Sequence, residues 1–108
     1  MDKEDRIVIF VTTGTEAEAH NIAGQLIEHR MAACVNIVPG VDSTFRWEGK
    51  IETDRESLLI IKSKAGLLRK TVDLVKQLHS YEVPEIIAMP VIGGNEAYLQ
   101  WIDNEVRS

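Results

Sequence analysis

Two apolar runs without polar alternation stand out along the chain. The segment Ile7–Val11 is rich in β-branched residues, and Leu58–Ile61 is equally apolar. Short continuous runs of this kind are typical of strands that are buried on both faces of a sheet. The two segments are therefore predicted to be central strands with no face in contact with water.

Two further segments repeat apolar residues at helical spacing. The first begins at Thr15, whose hydroxyl is predicted to cap a helix while the carboxylate of Glu18 reaches back to the cap amide. The second ends near His79, before a proline breaks the pattern. Each helix is predicted to pack one apolar stripe against the sheet: Ala19, Ile22, Ala23, Leu26 and Ile27 in the first, and Leu68, Thr71, Val72, Val75 and Leu78 in the second.

The other strands carry the marks of sheet edges. Cys34–Val38 is followed by a proline, which removes a ladder donor, and by a glycine, which permits a bulge. Ile86–Met89 lies between two prolines. Alternation resumes from Val41 to Trp47 and returns after a tight turn at residues 48–50. The pattern predicts two edge strands and one long hairpin.

The predicted order is β-α-β-β-α-β, followed by a short C-terminal helix that is capped by the stretch Gly93-Gly94-Asn95. Right-handed crossovers applied to this order favour an α+β sandwich of ferredoxin-like topology, with an antiparallel sheet and both main helices on one face. The chain has 108 residues and no linker-like stretch, so residues 1–108 are predicted to form a single domain.

The predicted hairpin is long for so small a domain and carries Phe45, Trp47 and Ile51 near its tip. Long edges with exposed aromatic residues invite pairing with another chain, and a closed symmetric assembly satisfies such edges. A homo-oligomer is therefore predicted. The alternative is a hairpin that folds back on its own sheet.

Net charge and cysteine content indicate which partners are disfavoured and in which compartment the protein is expected. The 12 Lys and Arg against 17 Asp and Glu give a net charge of -5, which disfavours binding to nucleic acid or to anionic membranes. No segment approaches the roughly 20 apolar residues of a membrane span, and the N-terminus lacks the pattern of a signal peptide. A lone cysteine, Cys34, cannot form an intramolecular disulfide, so a cytoplasmic location is predicted.

Three stretches of the chain resemble the CutA divalent-cation-tolerance proteins: RMAACVNIVPG at 30–40, RWEGKIET at 46–53 and YEVPEI at 81–86. The likeness runs in register from about Ile7 to Ile102. The resemblance implies a ferredoxin-like homotrimer whose hairpins pair between subunits, and a link to copper and other divalent cations without an obligatory cofactor. The family also resembles the trimeric PII signal-transduction proteins, which implies a regulatory or scaffolding role with a small metabolite as the alternative.

Cys34 and His79 are the candidate metal ligands, because thiolate and imidazole suit copper or zinc. The structural alternatives are a small strand residue for Cys34 and a helix-end residue beside the macrodipole for His79. The resemblance implies copper ligands at a strand-one cysteine and at two adjacent histidines that end the second helix. Only His79 matches, since Val11 and Leu78 stand at the other two positions. This departure favours a weak site or one shared among subunits.

Trp47, Lys62, Tyr81 and Glu82 form a second candidate site, a ligand cleft between subunits, because the fold and the resemblance bring them together. An aromatic wall with one cation and one carboxylate suits a small polar or anionic ligand. The alternative is interface packing by Trp47 with hydrogen bonding by Tyr81.

Three acidic residues, Glu52, Asp54 and Glu56, alternate along one strand and could bind a hard cation through oxygen atoms. The alternative is a solvated charged face that discourages aggregation. A non-enzymatic protein is predicted, because the chain lacks a phosphate-binding glycine loop, a nucleophile elbow and a paired-cysteine motif, although acylphosphatases share the element order. RNA-recognition modules share it too, but Leu58–Ile61 lacks their stacking aromatic residues.

Overall fold

The computed structural model describes residues 1–107. Its strands are β1 (Arg6–Thr13), β2 (Cys34–Trp47), β3 (Lys50–Lys64) and β4 (Ile86–Pro90), and its α-helices are α1 (Glu16–Glu28), α2 (Leu68–Leu78) and α3 (Glu96–Glu105). A single 3-10 turn, Ala65–Leu67, joins β3 to α2. The fold is α+β, and the order of the elements agrees with the predicted one.

The strands form one sheet in the order β2-β3-β1-β4, and every adjacent pair is antiparallel. The two apolar strands are central and the two proline-bearing strands are at the edges, as predicted. Proline lacks the amide hydrogen that a central strand donates to its neighbour, so Pro39 and Pro90 are compatible only with edges or bulges. The register of β2 against β3 shifts between Val38 and Val41, which is the predicted bulge.

Local capping explains where α1 and α3 begin. The amide of Glu18 donates to Thr15 Oγ1 at 3.1 Å, and the amide of Ala97 donates to Asn95 Oδ1 at 3.0 Å, so both predicted caps are confirmed. The second half of the predicted capping box is wrong. The Glu18 carboxylate accepts from the amide of Ser80 at 3.4 Å instead, because α2 ends close enough to compete for it.

One face of the sheet, the helix-covered face, holds the core. Ile9, Val11, Leu59 and Ile61 point toward α1 and α2 and are fully buried. The buried helix residues packed against them include Ala19, Ile22, Leu26 and Val75. Both main helices therefore lie on the same side of the sheet, as predicted.

The opposite face, which we call the open sheet face, is only half buried. By strand alternation and register it carries Val8 and Phe10 of β1, Leu58 and Ile60 of β3, and Ile87 of β4. Ile87 is 53% exposed, and the other four are partly exposed. The prediction that the central strands are buried on both faces is wrong for the single chain, because neither α1 nor α2 reaches this side.

The hairpin of β2 and β3 projects beyond the rest of the sheet. Pairing of β1 with β3 stops at Thr13 and Ser57, whereas β2 and β3 stay paired to Trp47 and Lys50 at the tip. The turn is closed by Glu48 and Gly49 with φ of 49° and 80°, which matches the twist of a tight hairpin. Within the described residues the hairpin does not fold back on its own sheet.

Candidate functional site

A cavity of about 440 Å³ lies where the hairpin leaves the sheet. Alternation along β3 places Glu52, Asp54 and Glu56 on the same side as Leu58, so the cavity is continuous with the open sheet face. We call it the acidic cavity. Its lining residues are Thr12, Phe45, Trp47, Glu52, Asp54, Glu56, Tyr81, Glu82, Val83 and Glu85.

Tyr81 closes one side of the acidic cavity. Its hydroxyl donates to Glu56 Oε2 at 2.8 Å, and Glu56 is only 9% exposed. The phenol passes over Gly14, where an added Cβ would lie 3.1 Å from the Tyr81 oxygen, so a side chain at this position would crowd it. Burial and the bond to the Glu56 carboxylate raise the pKa of Tyr81 to about 12. The phenol is therefore a neutral donor at physiological pH.

His79 contacts Tyr81 and fixes its position. Its side chain is fully buried, and Nε2 lies 2.7 Å from the carbonyl oxygen of Thr12. A carbonyl only accepts, so Nε2 carries the hydrogen and Nδ1 accepts the amide hydrogen of Tyr81 at 3.1 Å. The Glu18 carboxylate is 3.3 Å from the same Nδ1. Both ring nitrogens are therefore engaged within the chain.

Cys34 lies elsewhere, at the start of β2. Its sulfur is 3.9 Å from Lys62 Nζ, and the Lys62 ammonium also donates to Asn36. Cys34 pairs with Lys62, whereas Thr12, the partner of His79, pairs with Leu58. Four residues of β3 separate these positions, which is about 13 Å of strand. The two predicted metal ligands do not meet in one chain.

Within residues 1–107 no group of three or more His, Cys, Asp or Glu side chains is arranged to hold a metal ion. The donor atoms of a single chain therefore do not fit a preformed metal site. Ligation by Cys34 and His79 stays a prediction, and it would require both a rearranged His79 ring and donors from another subunit.

Within one chain only some residues of the predicted ligand cleft lie together, and the cleft between subunits stays a prediction. Trp47, Tyr81 and Glu82 line the acidic cavity, whereas Lys62 is six residues from Glu56 along β3, about 20 Å away. Alternation along the hairpin sequence identified the β3 carboxylates, but no local pattern indicated that residues 81–85 would reach them. Val83 and Glu85 were missed for that reason, and Phe45 was predicted near the hairpin tip without being assigned to the cleft. Since the described lining residues include carboxylates but no Lys or Arg, the charge of the cavity in one chain favours a cation over an anion.

Several known proteins are similar to this chain in sequence. The family model described as CutA1 divalent ion tolerance protein matches residues 7–105. The chain is 46% identical over 95 residues to the divalent-cation tolerance protein CutA of Thermus thermophilus, a match that covers 88% of this chain and 92% of that protein. It is 48% identical over 101 residues to the chloroplastic protein CutA 1 of Oryza sativa, covering 94% of this chain. The chain spans 57% of the length of that rice protein.

Solved structures of CutA proteins also superpose closely on this chain. The crystal structure of CutA1 from Oryza sativa superposes with a TM-score of 0.94 at 47% identity, covering 97% of this chain and 96% of that chain. The structure of the periplasmic divalent cation tolerance protein CutA from Archaeoglobus fulgidus gives a TM-score of 0.91 at 41% identity, covering 94% and 99%.

The matched family and these relatives are named either for tolerance to divalent cations or simply as CutA. None of these names mentions an enzymatic reaction. No helix within residues 1–107 is both long and apolar enough to cross a membrane. The match over residues 7–105, the relatives at 46% and 48% identity and the shared fold confirm the resemblance, and the chain belongs to the CutA1 divalent ion tolerance protein family.

Proposed function

We propose that this chain is a homotrimeric divalent-cation-tolerance protein that responds to copper and other divalent metal ions through weak binding or binding at subunit boundaries. The observation that carries the proposal is the open sheet face, which continues into a hairpin whose two strands pair only with each other beyond Ser57, on a chain of this family. The order β2-β3-β1-β4 with two helices on one side supports a ferredoxin-like topology over the whole chain as a single domain.

Exposed apolar residues support assembly. Trp47 and Ile51 at the hairpin tip are 59% and 69% exposed, and the open sheet face adds further apolar surface. Burying apolar surface contributes about 25 cal/mol per Å², so copies that cover one another's sheets gain stability. The free edges of β2 and β4 offer unpaired backbone groups to a neighbouring hairpin. These features support a closed assembly, and the family resemblance supports its trimeric size.

Weak or shared metal binding is supported by the chemistry of the donors. Cys34 and His79 are the soft and borderline donors that copper and zinc prefer, but they lie apart in one chain. A transition-metal site with several ligands would therefore have to draw on more than one subunit. The negative lining of the acidic cavity would raise the local concentration of divalent cations without chelating them.

The decisive experiment measures mass and metal binding on the same samples. Native mass spectrometry should show a species of three times the 12.1 kDa chain mass, and calorimetric titration should show saturable binding of Cu(II) and Zn(II). Cys34→Ser and His79→Ala should weaken binding, whereas His20→Ala, which removes a histidine whose side chain is 65% exposed, should not. A monomer at micromolar concentration overturns the assembly, and the absence of saturable binding overturns the metal role.

We also propose that the protein is cytoplasmic and has no enzymatic activity. The single cysteine supports a reducing compartment, and the described donor groups of the acidic cavity include no activated nucleophile. Two relatives are named chloroplastic and one neighbour periplasmic, so fractionation of cells that express the native gene tests the compartment directly.

The second candidate function is a PII-like regulatory or scaffolding trimer that binds a small metabolite in its cleft. The acidic cavity favours it, because about 440 Å³ lies within the range of roughly 300–1,000 Å³ found for small-molecule sites. A thermal-shift screen of metabolites on the assembled protein should identify a stabilising compound, and Trp47→Ala should abolish that stabilisation. Stabilisation that survives Trp47→Ala would place the ligand elsewhere.

A further inference from the structure

Within one chain, five carboxylates of the described residues face the acidic cavity, and none of them has a counter-charge. Glu52, Asp54 and Glu56 come from β3, and Glu82 and Glu85 from the segment after α2. No ion pair joins any of the five to a Lys, Arg or His within residues 1–107. Like charges around one cavity repel each other, and a bound cation removes that repulsion.

The spacing of these carboxylates disfavours a bare metal ion. Residues that alternate along a strand are about 7 Å apart, so Glu52 and Glu56 are separated by about 13 Å. One ion cannot contact oxygen atoms at such distances, in agreement with the lack of a chelating group within the described residues. Several positive charges on one extended molecule would match the row.

The rest of the lining is aromatic and apolar. Phe45, Trp47 and Tyr81 keep accessible surface at the cavity, and Val83 adds an aliphatic side chain. Aromatic faces attract ammonium groups and pack against methylene chains, but they offer nothing to a hydrated metal ion. The high pKa of Tyr81, about 12, keeps its phenol neutral, so it donates to Glu56 and adds no further negative charge.

From this combination we infer that the acidic cavity binds a linear organic polyamine, with its ammonium groups on the carboxylates and its methylene segments on the aromatic wall. The inference rests on the second proposed function, that the cleft holds a small molecule, and it specifies the chemical class of that molecule. It does not depend on metal tolerance. The competing occupant is a Lys or Arg side chain from a neighbouring copy.

The test uses the full-length protein in its native assembly and spermidine as the probe. Calorimetry at fixed ionic strength should show saturable binding of spermidine at least tenfold tighter than binding of Mg²⁺. Tryptophan fluorescence in a Trp101→Phe background, which leaves Trp47 as the remaining tryptophan, should change with the same midpoint. A change in fluorescence ties binding to the cavity itself.

Matched variants separate a site from general attraction to an acidic protein. Asp54→Asn should weaken spermidine binding about tenfold, as expected for loss of one charged hydrogen bond. Glu28→Gln removes an exposed carboxylate at the end of α1, outside the cavity, and should leave binding unchanged. Trp47→Phe should retain binding that Trp47→Ala loses, provided native mass spectrometry shows the same assembly for both.

Three results would overturn the inference. Spermidine could bind no more tightly than Mg²⁺, Glu28→Gln could weaken binding as much as Asp54→Asn, or the probe could fail to bind because a neighbouring subunit fills the cavity. In each case the assembly mass and the Cu(II) titration are measured on the same samples. They test the proposed metal function independently of the result with spermidine. A thermal-shift response to another class of metabolite would retain the cleft and reject the polyamine.

Discussion

The two faces of the central strands differ far more in burial than in sequence. Ile61 and Ile9 point toward the helices and are fully buried, whereas their chain neighbours Ile60 and Phe10 point to the open sheet face and stay partly exposed. All four are large apolar residues in the middle of the sheet. The difference shows that helix placement decides which half of the sheet the single chain covers. Apolar residues on the other half are suited to a partner's surface.

The largest effect should come from placing a charge on the open sheet face. Ile60→Glu should dissociate the assembly, because burying an unpaired carboxylate between subunits costs several kcal/mol per copy. The species at three times 12.1 kDa should be replaced by a monomer in native mass spectrometry. Gln77→Glu adds the same charge to an exposed position on α2 and should leave the mass unchanged. An intact assembly in Ile60→Glu would mean that the open sheet face stays in water.

The helix-covered face should show the next largest effect, on the free energy of unfolding. Ile61→Ala should lower it by about 3 kcal/mol, because the deleted methyl groups leave a cavity in a close-packed core. Urea denaturation measures the loss. Ile92→Ala, at a position that is 101% exposed, should change stability by less than about 0.5 kcal/mol. Equal losses in the two variants would contradict the division between core and surface.

A smaller effect is expected at the ion pair that joins β1 to α3. Arg6 donates twice to Asp103, through Nε at 2.9 Å and Nη2 at 2.6 Å, in a partly buried pair. Asp103→Asn should lower the free energy of unfolding by about 1 kcal/mol and increase amide hydrogen exchange in α3. The exposed pair of Asp42 and Arg55 is 3.5 Å apart, so Asp42→Asn should have almost no effect.

The smallest expected effect is a pH dependence of the free energy of unfolding, which Tyr81 causes where the hairpin leaves the sheet. The pKa of Tyr81 is raised from 10.0 to about 12, so its contribution to stability is complete below pH 10. It is lost as pH rises through 12, because the unfolded chain releases the phenol proton first. Denaturation of wild type should therefore show a decline between pH 10 and pH 12 that Tyr81→Phe lacks. The same decline in both proteins would assign it to other groups.

Local signals explain why so much of the architecture was predictable. The prolines at 39 and 90 exclude a central strand, Thr15 and Asn95 cap helices through oxygen atoms within three residues, and Gly49 accepts the positive φ of the hairpin turn. Each of these effects acts over a few residues. They therefore reveal the elements and their edges without any knowledge of how the elements pack.

The capping error has a different cause. Glu18 is predicted at its own helix terminus, but it accepts from the amide of Ser80 at the end of α2, more than 60 residues later. The residue type was interpreted correctly as polar and available. Its partner depended on contacts between segments that are distant in the chain. Lys62 is predicted in a cleft between subunits, and because it lies far from Trp47 within one chain, that placement stays a prediction.

By itself the sequence determined the element order, the edge strands, the caps, the long hairpin and the acidic row along it, because short-range sterics and hydrogen bonding specify these features. Only the tertiary structure decided that the open sheet face stays half exposed in the single chain, and that Tyr81 crosses Gly14 to reach Glu56. The acidic cavity belongs to this second group. Its walls come from three separate parts of the chain, and no pattern within one segment encodes the distance to another.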